Sequence, residues 1–170
     1  MNRRNFIRNV SAISTLTVLK PEIVFASGNN SAVRVGLVGC GSRATGILNS
    51  MSESSNIQIT ALADLFEDKL VKGIDFANVL NKKRGYAPVP KNRTYTGSEA
   101  YLRLLENQDV DAVIIASPGY SHPQILEDTV AAGKHVYCEK PMAVDADGCR
   151  QVLRTGKNIN GKVSAFDGFH

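Results

Sequence analysis

The hexapeptide Gly39-Cys40-Gly41-Ser42-Arg43-Ala44 has the spacing G-x-G-x-x-A and follows an apolar run, Val33–Val38. Each small residue in it has its own physical use. Gly39 permits a tight turn, Gly41 lets backbone approach a pyrophosphate, and Ala44 allows a helix to pack closely on a strand. The helix that begins there offers free N–H groups and a positive dipole end to phosphate. Cys40, Ser42 and Arg43 fall within the same loop and share its expected contact with a cofactor. Asp64 closes a second apolar run, Ile57–Ala63. An acid about 20 residues beyond such a loop accepts the ribose hydroxyls of a dinucleotide. A helix N-cap is the plainer use of Asp64. Its charge would repel a 2′-phosphate, and Leu65 and Phe66 supply no cation, so NAD is favoured over NADP.

Two further clusters follow strands. Ala116-Ser117-Pro118-Gly119-Tyr120-Ser121-His122-Pro123 ends the run Asp111–Ala116, and Glu139-Lys140-Pro141 ends His135–Cys138. In open α/β sheets ligands bind outside the carboxyl ends of the strands, so Ser117, Pro118, His122, Glu139 and Lys140 join the cofactor-side candidates. Ser121 and His122 have an alternative use as caps of the helix that Pro123 opens. A surface Glu–Lys pair is the bland reading of Glu139 and Lys140, and an ionisable pair at a nicotinamide pocket is the sharper one.

The elements that would position these residues alternate along the chain. Strands are expected at Val33–Val38, Ile57–Ala63, Thr94–Thr96, Asp111–Ala116, His135–Cys138 and Lys162–Phe166. Helical spacing joins Phe66, Leu70, Ile74 and Ala77, and then Tyr101, Leu104 and Leu105. Pro123–Ala132 reads as a helix closed by Gly133, and Asp145–Asn158 as another with Cys149, Val152 and Leu153 on one face. Residues 81–93 read as a basic, Pro-containing solvated loop. Such alternation implies an α/β domain, a doubly wound parallel sheet covered by helices on both sides.

The 170 residues carry a net charge of +4, which would suggest nucleic acid were it spread over the body. It is not. Arg3, Arg4, Arg8 and Lys20 against Glu22 hold +3 of it within residues 1–26. No nucleic-acid partner is expected for the nearly neutral remainder. That first segment pairs arginines with an uncharged run, Asn9–Leu19, and ends Val24-Phe25-Ala26. A charged start, a short apolar stretch and a small-residue cleavage site form an export signal. The stretch is about half the ~20 residues a membrane-spanning helix needs, so no membrane anchor is expected. Arg3-Arg4 resembles the twin-arginine signal, and the expected location is periplasmic. Ser27–Ser31 reads as a linker, which leaves residues 32–168 as the dinucleotide-binding domain. Cys40, Cys138 and Cys149 match no zinc or redox spacing and read as small buried hydrophobes. No metal site is expected.

Taken together, Val35–Ala44 (VGLVGCGSRA), Asp109–His122 (DVDAVIIASPGYSH) and Ala132–Pro141 (AGKHVYCEKP) resemble the signatures of the Gfo/Idh/MocA oxidoreductases. The resemblance implies a Rossmann fold, a glycine loop on the pyrophosphate, and Lys140 as the catalytic lysine beside nicotinamide and substrate hydroxyl. A cis Lys140–Pro141 bond is among its expectations. It also implies a second domain that supplies the sugar pocket and a histidine–aspartate pair. The sequence stops at Phe166-Asp167-Gly168-Phe169-His170, about where that domain would begin, as a truncation or a fragment would. Gly119-Tyr120 departs from the small polar pair usual after the proline.

The leading reading is the cofactor half of an exported NAD-dependent oxidoreductase acting on a sugar or polyol. Its uncovered sheet edge would favour homo-oligomers. A second reading is an NAD-dependent glycosidase of the same superfamily, and a third a non-catalytic dinucleotide-binding remnant. The intact Glu139-Lys140-Pro141 favours the first.

Overall fold

The computed structural model describes residues 32–54, 56–159 and 165–167. The expected export signal and linker, residues 1–31, lie outside these. Six parallel strands form one sheet: β1 (Val33–Val38), β2 (Ile57–Asp64), β3 (Thr94–Thr96), β4 (Ala112–Ile115), β5 (His135–Cys138) and β6 (Ala165–Asp167). Their order is β3-β2-β1-β4-β5-β6, so the chain winds outward from β1 twice, in opposite directions. This is the expected doubly wound α/β sheet. Strand boundaries shift slightly from expectation: β2 extends to Asp64, and β4 is shorter than Asp111–Ala116.

Parallel strands require helical crossovers. The helices are α1 (Ser42–Ser54), α2 (Glu67–Lys83), α3 (Ala100–Leu105), α4 (His122–Ala131) and α5 (Ala146–Asn158). Glu67 and Asp68 open α2 and Lys82 and Lys83 close it, matching the helix dipole at both ends. The Asp145 carboxylate accepts from the Gly148 N–H at 2.7 Å and caps α5.

Each face of the sheet has its own core. Val35, Leu37, Ile59, Leu62 and Ile114 pack under α1 and α2 through Ala44, Leu48, Leu70 and Ala77. On the other face Val38, Ala61, Val113, Ile115 and Val136 meet Leu104 and Leu105 of α3 and Ile125 and Leu126 of α4. The parity of β2 changes midway. Val35 pairs with Ile59 but Gly36 pairs with Ala61, so Thr60 is an extra residue in the strand. This bulge keeps Ile57, Ile59 and Leu62 on one face while Ala61 and Ala63 turn to the other. The Thr60 hydroxyl donates to the Asp109 carbonyl at 2.7 Å.

Two expectations are corrected. The basic segment 81–93 is not simply solvated, because α2 runs through Lys83 and Asn81 is buried. The Asn81 side chain accepts from the Ile59 N–H at 2.9 Å and donates to the Ile59 and Ala87 carbonyls. Asn78 accepts from the Val89 N–H, which pins the segment further. The second correction concerns α5. Cys149 and Leu153 face solvent, Leu153 at 67% exposure. The packing stripe is Gly148, Val152 and Thr155 instead, because a Cβ on Gly148 would lie 3.0 Å from Pro123 of α4 and from Ala143. Cys40 and Cys138 are buried as expected.

The amino ends of β1 and β4 are tied by charge. Arg34 bonds Asp109 at 2.9 Å and Asp111 at 2.6 Å, and Arg93 pairs with Asp109. The Arg34 hydrogen bond holds the Asp111 carboxyl below its ordinary range. The carboxyl ends are therefore the edge left for a ligand.

Candidate dinucleotide site

Strands β1 and β4 are neighbours whose following crossovers leave on opposite faces, which opens a crevice at their carboxyl ends. A cleft of about 660 Å³ occupies it. Gly39, Gly41 and Ser117 form its floor. The end of β2 and the start of α2 line it with Asp64, Leu65, Phe66 and Lys69, α3 with Tyr101, and the segment after β4 with Pro118, Tyr120, Ser121, Gln124 and Ile125.

The two glycines differ in what surrounds them. Gly39 has φ +87°, and a Cβ there would lie 2.6 Å from the Ser117 nitrogen. The turn out of β1 thus touches the end of β4. A Cβ on Gly41 would meet nothing within 4 Å. That open space lies beside the N-terminus of the thirteen-residue α1. Backbone donors and room together suit a pyrophosphate. Ala44, fully buried, lets α1 sit against the sheet.

Asp64 organises the loop from the end of β2. Its carboxylate accepts from the Cys40 N–H at 2.6 Å and from the Phe66 N–H at 2.9 Å. Each carboxylate oxygen has a second lone pair, so these bonds leave capacity for ribose hydroxyls in the cleft that Asp64 lines. The Cys40 side chain points the other way. It is buried against Gly73 of α2, and burial followed by the Asp64 charge pushes its thiol up to about 12. Cys40 therefore acts through packing and gives the cleft no side chain.

Glu139 and Lys140 are not a pair. Glu139 is 5% exposed and takes two bonds from Arg43, Nε at 2.8 Å and Nη2 at 2.7 Å, both on Oε1. The Tyr137 hydroxyl donates to Oε2 at 3.3 Å. Arg43 thus spends its charge joining α1 to the end of β5. Lys140 is exposed, and among the described residues it has no hydrogen-bonding partner. The Lys140–Pro141 bond is cis.

His122 is 1% exposed and lies beneath the surface, away from the cleft lining. Its Nδ1 is 2.8 Å from the Pro141 carbonyl oxygen and its Nε2 is 2.6 Å from that of Ser117. Ser121 makes no capping bond: its hydroxyl donates to the Pro118 carbonyl and meets the Ser117 hydroxyl at 2.8 Å. Of the expected residues, Gly39, Gly41, Asp64, Ser117 and Pro118 line the cleft. Cys40, Ala44 and His122 support it from below, while Ser42, Arg43, Glu139 and Lys140 lie outside its lining.

Lys69 and Gln124 line the cleft without having been singled out from sequence, and Tyr101, read there only as part of a helical face, lines it too. Lys69 lies in the first turn of α2, which begins at the end of β2, and that placement was available from the helical spacing. Leu65 and Phe66 supply no cation, as expected from their types, but Lys69 brings one to the same lining. The Tyr101 hydroxyl donates to Asp128 at 2.9 Å, and burial, then that bond, pushes Tyr101 up to about 12.

Residues 33–166 match the profile described as the oxidoreductase family, NAD-binding Rossmann fold. The chain belongs to this family. A glycosyl hydrolase family 109 protein from Shewanella pealeana is 28% identical over 92% of the chain, which spans 37% of that relative's length. A 3-ketoreductase from Actinomadura kijaniata, solved with NADP, matches with a TM-score of 0.54 and 27% identity over 76% of this chain and 36% of its own. Scyllo-inositol dehydrogenase from Lactobacillus casei, solved with NAD(H) and scyllo-inositol, shares the fold at a TM-score of 0.62. It is 22% identical over 81% of this chain and 36% of its own. This member of the family thus spans little more than a third of the proteins it resembles. None of its described helices is long and apolar enough to cross a membrane.

Proposed function

We propose that the chain is the cofactor-binding part of an exported oxidoreductase that moves hydride between a sugar or polyol hydroxyl and NAD. The observation that carries this reading is the contrast at the glycine loop: Gly39 closed, Gly41 open, and Asp64 holding the backbone between them. Bound NAD would supply the hydride acceptor. Gly41 and the first turn of α1 would hold the pyrophosphate, and Asp64 the ribose hydroxyls. Lys140, exposed after β5, would donate a hydrogen bond to the substrate hydroxyl. Asp64 disfavours a 2′-phosphate and Lys69 moderates that preference, so NAD is preferred over NADP by a modest margin.

Calorimetry on the 170-residue chain tests the reading. NADH binding tighter than NADPH binding supports it, and binding of neither refutes it. The family 109 relative supports a second reading, an NAD-dependent glycosidase, in which the same residues hold the cofactor. NAD-dependent release of a nitrophenol from nitrophenyl glycosides would favour it.

Export is part of the proposal and rests on Arg3-Arg4 and Val24-Phe25-Ala26. Replacing both arginines by lysine should leave the protein in the cytoplasm, and unchanged periplasmic recovery would refute the assignment. Self-association belongs to the same reading, since Tyr120, Val144 and Leu153 are 60–68% exposed. Light scattering that shows a monomer at every concentration would remove it.

A further inference from the structure

The two loops that follow β4 and β5 meet at a joint that the proposed function leaves unused. A Cβ on Gly119 would lie 2.9 Å from Pro141 Cγ and 3.2 Å from Val144 Cγ1, so the loops are in van der Waals contact there. Beneath that contact the buried His122 ring spans them, Nε2 to the Ser117 carbonyl and Nδ1 to the Pro141 carbonyl. Packing alone does not call for a histidine, since a leucine would fill the space. What the ring adds is a polar atom at each end, one for each loop. Ser117 lines the dinucleotide cleft, and Pro141 follows Lys140 directly.

We infer that His122 is a positioning residue: it fixes the Lys140–Pro141 turn to the floor of the cleft and so sets the edge that a nicotinamide ring meets. The inference rests on the proposed dinucleotide reading. The ring N–H donates to one of the two carbonyls, and the other end of the ring packs against the second loop. Removing it takes away the hydrogen bond and the packing that join the two loops. Among the described residues no hydrogen bond joins the ring to Gly39, Gly41 or Asp64, which form the adenosine side.

The test compares NADH with ADP-ribose, which keeps the adenosine and both phosphates but lacks nicotinamide. Each is titrated by calorimetry into the 170-residue chain and into His122→Ala, His122→Gln and Gly119→Ala. In His122→Ala the ADP-ribose dissociation constant should stay within about twofold while that for NADH rises roughly 5–10-fold, the worth of about one hydrogen bond. The emission of bound NADH should move towards that of free NADH. His122→Gln keeps one donor and should recover part of the loss. Gly119→Ala pushes Pro141 away with His122 intact and should give the same selective loss, which carries the test if His122→Ala does not fold. Equal weakening of both ligands, or no change in either, would overturn the inference. A wild-type chain that binds neither ligand would overturn the dinucleotide reading and this inference with it.

Discussion

Replacing Gly39 and Gly41 separately by alanine should divide folding from binding. At Gly39 the backbone is left-handed, at φ +87°, which costs an L-residue about 1–2 kcal/mol. The new methyl would also stand 2.6–2.8 Å from three backbone atoms of Ala116 and Ser117, none of which can rotate away. Relieving that overlap costs a further ~1–3 kcal/mol, as overpacking generally does. The sum is a sizeable part of the roughly 5–15 kcal/mol that stabilises a domain, and it should lower the melting temperature by on the order of 10 °C. Gly41 has neither constraint. Alanine there meets no atom within 4 Å and should leave stability unchanged or raise it by about 0.4–1 kcal/mol. Its methyl would, however, fill the space assigned to the pyrophosphate and push that group off the α1 N-terminus. A loss of ~2 kcal/mol there is about thirtyfold in dissociation constant. Thermal melts and NADH calorimetry on both variants decide the matter. Gly41→Ala binding NADH like wild type would refute the reasoning, as would a Gly41→Ala melt depressed as far as that of Gly39→Ala.

Asp64→Ala should narrow the preference for NADH over NADPH, while Lys69→Ala should widen it, and parallel calorimetry with both cofactors reads the ratio. Under native conditions a maleimide should label Cys149 quickly, with Cys40 and Cys138 reacting only in denaturant, because burial holds Cys40 near 12 and Cys149 is exposed. Mass spectrometry of peptides will show an error if Cys40 is labelled first. Asp111, depressed by Arg34, stabilises the fold above the unfolded carboxyl range near 4 and loses that contribution as pH falls through its lower folded value. Urea melts should therefore show wild type ahead of Asp111→Asn at pH 6 and level with it near pH 2. A gap of constant size would contradict this.

Much of the fold was legible because its signals are local. The strand-turn-helix at Val33–Ser54 and the acid at the end of β2 lie within one short stretch of chain, and the strands β1 and β5 coincide with their sequence boundaries. The bulge at Thr60 was hidden because Ile57–Ala61 alternates and Ala61-Leu62-Ala63 is apolar throughout, so neither marks an extra residue, and only pairing with β1 reveals it. The Arg43–Glu139 pair joins residues 96 apart, so each alone looked like a ligand for cofactor or solvent. His122 has the residue type of an active-site base, yet its direction is set by two carbonyls, which sequence does not display. In α5 helical spacing identified an apolar stripe but not the face turned inward. Gly148 decided that, by allowing the approach of α4.

Asn81 has a consequence for how molecules of this protein behave towards one another. β3 pairs with β2 only from Leu62 onward, so the amino half of β2 would otherwise present an open ladder. By taking both the N–H and the C=O of Ile59, the Asn81 amide fills the rung that an incoming strand would use. Unfilled rungs on apolar strands are where chains template one another into cross-β aggregates. A single side chain on α2 thus serves as a stopper against sheet growth, and an Asn81→Leu chain that folds would still carry an adhesive edge.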